Sequence, residues 1–174
     1  ALFAATSAVP SVAAPSAVKL AAVNAVDRHA AALTELSDRI WAYAEIAFRE
    51  HRSAAALADF AQAHGFRVER GVAGMPTAFV ASYGQGRPVI GVMGEYDALP
   101  GLSQKALPNP VPLVEGAAGH GCGHNTMAAS GVGAAIALAA TRDAWAGEVL
   151  FLGTPAEERG SGKAIMIEDG LFEG

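Results

Sequence analysis

The sequence predicts an α/β fold, a three-layer α/β/α sandwich around a mostly parallel sheet, and three observations carry that expectation. Two short apolar runs, Pro88–Met93 and Glu148–Leu152, have the near-continuous hydrophobicity of strands covered on both faces. Between them Met127 to about Ala140 is rich in Ala and Gly, as suits a tightly packed crossover helix, and strand, helix, strand in that order implies a right-handed parallel unit. Finally, the polar motifs fall just after those strands or just before that helix, where open parallel sheets collect ligands.

The chain has 174 residues, 52% of them hydrophobic and 17% charged, enough apolar material for one ordinary core. Twelve Lys and Arg against seventeen Asp and Glu give a net charge of −5, with the basic residues scattered, so nucleic acid is a poor partner. No apolar run reaches the roughly 18 residues that a membrane-spanning helix needs. The single cysteine, Cys122, cannot form an internal disulfide, and nothing in its presence requires an oxidising compartment. Residues 1–20 are small and apolar, and Ser11–Pro15 resembles the cleavage region of a secretory signal. They are expected to be a signal-peptide remnant or a disordered leader ahead of a unit covering 21–174. The first reading places the protein in the periplasm or outside the cell, the second in the cytoplasm.

Taken in order, Val23, Val26, Ala30, Leu33, Leu36, Ile40 and Trp41 recur at helical spacing within 18–44. A second helix should begin with Ser53 as its cap and stop at Gly65. Phe66–Glu69 and Thr77–Tyr83 read as strands separated by Gly71 and Gly74-Met75-Pro76. Gly101 to Ala118, with Pro108, Pro110 and Pro112, reads as a long irregular loop of the kind that is often functional.

Three polar segments converge on the sheet's rim. In Gly119-His120-Gly121-Cys122-Gly123-His124-Asn125 the glycines let the backbone aim a thiolate and an imidazole at one point, a pair that suits Zn²⁺, although a lone cysteine is also commonly a small buried hydrophobe. In Gly153–Glu158 the neighbouring Glu157 and Glu158 point to opposite sides if the segment is extended. One carboxylate can then hold a cation while the other removes a proton from water and returns it to the leaving amine; the plainer alternative is a solvated acidic loop. Asp97 is a candidate for orienting a ligand from behind, or a turn cap, and Glu95 is ambiguous between such roles. Arg159–Lys163 fails as a phosphate loop, because Glu157 stands where a glycine is needed and Ala164 follows the lysine.

These motifs resemble the aminoacylase and carboxypeptidase amidohydrolases of metallopeptidase clan MH, and within it the aminobenzoyl-glutamate hydrolase subgroup. The resemblance runs through Gly71–Ala78, Gly94–Gln104, Gly119–Asn125, Gly153–Glu158 and Gly160–Lys163. It implies two divalent ions, Zn or Mn, with Cys122, His124 and Glu158 as ligands and Glu157 as general base; Asp97, His120 and Glu95 stand beside these as candidate supporting residues read from the motifs themselves. It implies hydrolysis of amide bonds in N-acyl or aroyl amino acids or dipeptide-like substrates, and a homodimer formed through an inserted lid domain. Two departures stand out: Glu95 sits where many relatives place a histidine ligand, and Asn125 where the hydrolase branch usually has aspartate. Similar enzymes carry further histidine ligands beyond the Glu pair and the lid, neither of which lies within these 174 residues, so the isolated chain is expected to bind metal poorly and turn over little. A thiol hydrolase with Cys122 as nucleophile, and a non-catalytic fragment, are the competing readings.

Overall fold

The computed structural model describes residues 15–173. Helix α1 (Ala17–Tyr43) starts behind the side-chain cap of Ser16 on the Lys19 N–H, so the expected boundary at residue 20 falls inside its first turns. The rest of the expected leader, residues 1–14, lies outside the described residues. On α1 the residues Ala25, Leu36, Ser37 and Ile40 are buried, whereas Val23 and Val26 of the expected apolar face are exposed. No helix among the described residues is long and apolar enough to cross a membrane.

Helix α2 (His51–Ala63) is capped from outside itself, and not by Ser53 as expected. The Glu45 carboxylate accepts from the backbone N–H groups of Arg52 and Ser53 at 3.0 and 2.9 Å and from the Ser53 hydroxyl at 2.8 Å. Ser53 is thus a buried member of the first turn, and an acid eight residues upstream serves its orphan donors.

The strands β1 (Arg67–Arg70), β2 (Phe79–Gln85), β3 (Val89–Gly94) and β4 (Gly147–Gly153) form one sheet in the order β1-β2-β4-β3. The fold is α/β, as expected, but the sheet is mixed. Only β3 and β4 are parallel, joined through helix α3 (His124–Ala139), while β2 runs antiparallel to both β1 and β4. The short connection from Arg70 to Phe79 folds β2 straight back along β1, which a parallel neighbour would not allow. The apolar run of β4 is largely buried as expected, but β3 is the last strand of the sheet among the described residues and leaves Val89, Ile90 and Met93 exposed, so its apolar run is not covered on both faces. Neither run carries information about the direction of the neighbouring strand.

On one face Phe79, Ala81, Val149 and Phe151 pack with Leu36, Ile40, Leu57, Val132 and Ile136 of α1, α2 and α3. On the other face Val72, Met75, Ala78, Leu152 and Met166 form a smaller cluster, closed by the helix Gly162–Glu168. Helix α3 lies between α1 and the sheet with most of its residues buried, and a narrow stripe through Thr126, Ser130 and Ala134 is exposed. These contacts fix the carboxyl ends of β3 and β4 side by side: the Thr154 N–H and hydroxyl both donate to the Gly94 carbonyl, at 2.9 and 3.1 Å.

Candidate metal centre

Directly beyond those strand ends the chain places one imidazole at the middle of four acids and a thiol. His124 is the first residue of α3 and is 1% exposed. It follows Gly123, whose φ of 87° is a left-handed turn open chiefly to glycine. Its Nδ1 faces only acceptors, the Asp97 carbonyl at 2.9 Å and the Asp97 Oδ1 at 3.1 Å, so Nδ1 carries the proton and donates. Nε2 is left to face outward, 3.1 Å from Glu95 Oε2, 3.8 Å from Glu157 Oε2 and 3.9 Å from Glu158 Oε1. An imidazole held from behind by a carboxylate, with its other nitrogen presented, has the geometry usual for metal-ligating histidines.

Asp97 serves two loops. Its Oδ1 holds His124 while its Oδ2 accepts the Glu158 N–H at 2.9 Å. Burial alone would raise its pKa, but the bonds from His124 and from the Glu158 backbone outweigh burial and hold the carboxyl below its ordinary value. For His124 burial likewise opposes charge, and the bonds to Asp97 with the nearby Glu95 carboxylate win, leaving the imidazole above its usual value.

Ligand atoms of Cys122, His124 and Glu158 all lie within 4.8 Å of one another, as do those of Glu95, His124 and Glu157. Glu158 Oε1 is buried and has no hydrogen-bond partner. A buried carboxylate oxygen without a donor, beside a thiol and the outward ring nitrogen of His124, fits a borderline-soft divalent cation. Loss of solvent and the carboxylates of Glu158, Glu157 and Glu95 push the Cys122 thiol above its ordinary pKa.

The Glu pair is arranged differently from the extended segment the sequence suggested. Ala156 adopts a left-handed conformation, and Glu157–Gly160 then form a single helical turn, α4, ahead of the helix Gly162–Glu168, α5. The two side chains diverge because successive residues of a helix point about 100° apart, and the Glu157 side chain is 41% exposed against 16% for Glu158.

The remaining expected residues fall in two places. Glu95 lies on the open side of His124 and not behind it, and its other oxygen is paired with Lys163 Nζ at the start of α5. His120 joins neither cluster. Its Nε2 bonds the Ile40 carbonyl at 3.0 Å, and burial lowers its pKa. Together with Gly119 and Gly121 it lines a cleft of about 550 Å³, walled also by Trp41, Tyr43, Leu102 and Lys105. Two side chains that matter here escaped sequence reasoning, Lys163 as the partner of Glu95 and Glu50 behind Ala156. Nothing in the sequence near Glu50 marks its partner, which lies 106 positions away.

Fold and site together have the arrangement of the α/β metallohydrolase class, with a cluster of candidate cation ligands beyond the ends of parallel strands. Comparison with known proteins narrows this. Residues 91–174 match the family model Peptidase family M20/M25/M40. The chain is 43% identical over 153 residues to a p-aminobenzoyl-glutamate hydrolase component of Escherichia coli (strain K12), a match covering 86% of this chain and 32% of that protein. It is 36% identical over 170 residues to the Xaa-Arg dipeptidase of Mus musculus, covering 90% of this chain and 36% of that one. Among solved structures the YXEP protein of Bacillus subtilis, a dinuclear metal binding peptidase from the M20 family, superposes with a TM-score of 0.71 at 27% identity, covering 87% of this chain and 41% of that one. Residues 91–174 belong to peptidase family M20/M25/M40. The chain spans about a third of the length of the curated relatives it matches.

Proposed function

We propose that this chain supplies the water-activating part of a two-cation amidohydrolase that cleaves N-acyl or aroyl amino acids or dipeptide-like amides. The observation that carries the reading is the meeting of Cys122, His124 and Glu158 within 4.8 Å, with Glu157 beside them on the solvent side. In this reading Cys122 Sγ, His124 Nε2 and Glu158 hold divalent cations, Zn or Mn. A bound cation supplies Lewis acidity, which acidifies water and polarises an amide carbonyl. Glu157 takes the proton from that water and delivers it to the leaving nitrogen, a task that needs an unligated carboxylate within reach of bulk water. Asp97 keeps the His124 proton on Nδ1, and Glu95, neutralised on one oxygen by Lys163, borders the open side of the imidazole.

The substrate class rests on the relatives: the Escherichia coli protein is part of a p-aminobenzoyl-glutamate hydrolase and the mouse protein is an Xaa-Arg dipeptidase. That the bacterial relative is one component of its enzyme supports an assembly, here proposed as a homodimer of the whole protein built through a lid domain. A thiol-nucleophile mechanism is disfavoured, because carboxylates surround Cys122 and the thiolate is harder, not easier, to form. The full-length protein carrying this chain should therefore lose hydrolysis of an N-aroyl glutamate or dipeptide on chelation and regain it with Mn²⁺ or Zn²⁺. Turnover that survives chelation and stops on thiol alkylation would reverse the assignment.

A further inference from the structure

The turn that presents Glu157 and Glu158 is held by a side chain more than a hundred residues upstream. Glu50, just ahead of α2, is 0% exposed, and its Oε1 accepts from the Phe48 N–H and from the Ala156 N–H, both at 2.9 Å. Ala156 is itself fully buried and sits at φ 57°, ψ 42°, a region that an alanine adopts only when its surroundings impose it. Its carbonyl accepts the Gly160 N–H at 3.0 Å, which closes the turn carrying both acids. Two residues after Ala156, Asp97 takes the Glu158 N–H. A buried carboxylate therefore grips the turn on each side of Glu157.

The connection between α1 and α2 reaches the Asp97 loop as well. The Glu45 carbonyl accepts the Ala98 N–H at 2.8 Å, and Ile46 bridges Ala98. Residues 45–50 thus strap together the two loops that bear Asp97 and the Glu pair. A buried carboxylate is costly to keep, and here one oxygen, Oε2, has no hydrogen-bond partner, nor does the Thr77 hydroxyl. Hydrocarbon of the same volume would cost less to bury but would leave the Ala156 N–H unsatisfied and the left-handed turn without its clamp.

We propose that Glu50 is a positioning residue of the site: through the Ala156 N–H it fixes the turn that directs Glu157 towards water and Glu158 towards the cation. The inference rests on the roles assigned to those two glutamates above. The test uses the full-length protein with Glu50→Gln, which keeps an acceptor oxygen, and Glu50→Met, which keeps the length and removes it. Glu50→Met should raise amide hydrogen exchange in the peptide spanning 154–160 by about tenfold or more while the sheet stays protected. It should also lower kcat by about 10- to 100-fold, the scale for partners that orient a site's ligands, with KM within about twofold. Glu50→Gln should stay within about threefold of the parent in both readouts. Glu50→Asp, which withdraws the carboxylate by one methylene, gives the same reading as Glu50→Met if the methionine variant does not fold. Parent-like exchange in 154–160 for a folded Met or Asp variant, or a loss of activity that only follows the unfolded fraction, would overturn the proposal. A parent without metal-dependent hydrolysis would instead sink the function, and the exchange result would still decide whether Glu50 holds the turn.

Discussion

Two turns build the site, and they are made by opposite means. The turn around Cys122 and His124 is shaped from within, by Gly123 in a left-handed conformation, and leaves the thiol exposed. The turn around Glu157 and Glu158 has its left-handed residue in an alanine, and it is shaped from outside, by Glu50 on one side and Asp97 on the other. The first can be recognised locally because glycine advertises its purpose. The second depends on distant buried acids, and its local sequence does not show what holds it. Asp97 is the one residue common to both turns.

That contrast can be broken at three points, in descending order of effect. Glu157→Gln removes the acid/base group while leaving both turns intact. Metal content should be nearly unchanged and kcat should fall by about two orders of magnitude or more. Turnover within a few-fold of the parent would take Glu157 out of the chemistry. Asp97→Asn should be smaller, about 10- to 100-fold in metal affinity or activity, because the amide loses the charge that anchors the imidazole proton and weakens its hold on the Glu158 N–H. If both turns lean on Asp97, faster amide exchange should appear around 120–125 and 155–160 together; a change in only one would mean that they are independent.

The weakest effect concerns Glu50 and pH. Burial drives its carboxyl above the ordinary value, against the backbone hydrogen bonds, those from Ala156 and Phe48 among them, that pull it down. A group whose folded pKa lies above its unfolded value contributes fully below the unfolded pKa, about 4.3 for glutamate, and loses that contribution as pH rises through the folded value. The non-titrating Glu50→Gln variant should therefore gain in Tm relative to the parent between acidic and neutral pH. A Tm difference that is flat with pH would show that the carboxylate is not penalised by its burial.

Much of this was readable from the chain itself. The crossover from β3 through α3 to β4 followed from two apolar runs flanking an Ala- and Gly-rich segment, and with it came the rim where the polar motifs meet. Apolarity said nothing of strand direction in β1 and β2; that lay in the short connection between Arg70 and Phe79, too short for a parallel crossover. The sequence marked Asp97 as a candidate for orienting a ligand and left Glu95 ambiguous; the backbone turn after β3 sends Glu95 to the front of His124 and Asp97 behind it. Glu50 was invisible because its partner lies 106 positions away, and only the packed fold brings an acid ahead of α2 against the chain leaving β4.

Cys122 is the chain's one sulfhydryl, and it stands exposed at the edge of the cluster. Any thiol-directed chromophore or spin label therefore has a single address within these residues, and no other cysteine here has to be removed first. Because the acids around it oppose ionisation, its labelling should be slow at neutral pH and quicken as a neighbouring carboxylate is neutralised. The rate of one bond-forming reaction thus becomes a gauge of the local field, readable before any substrate is known.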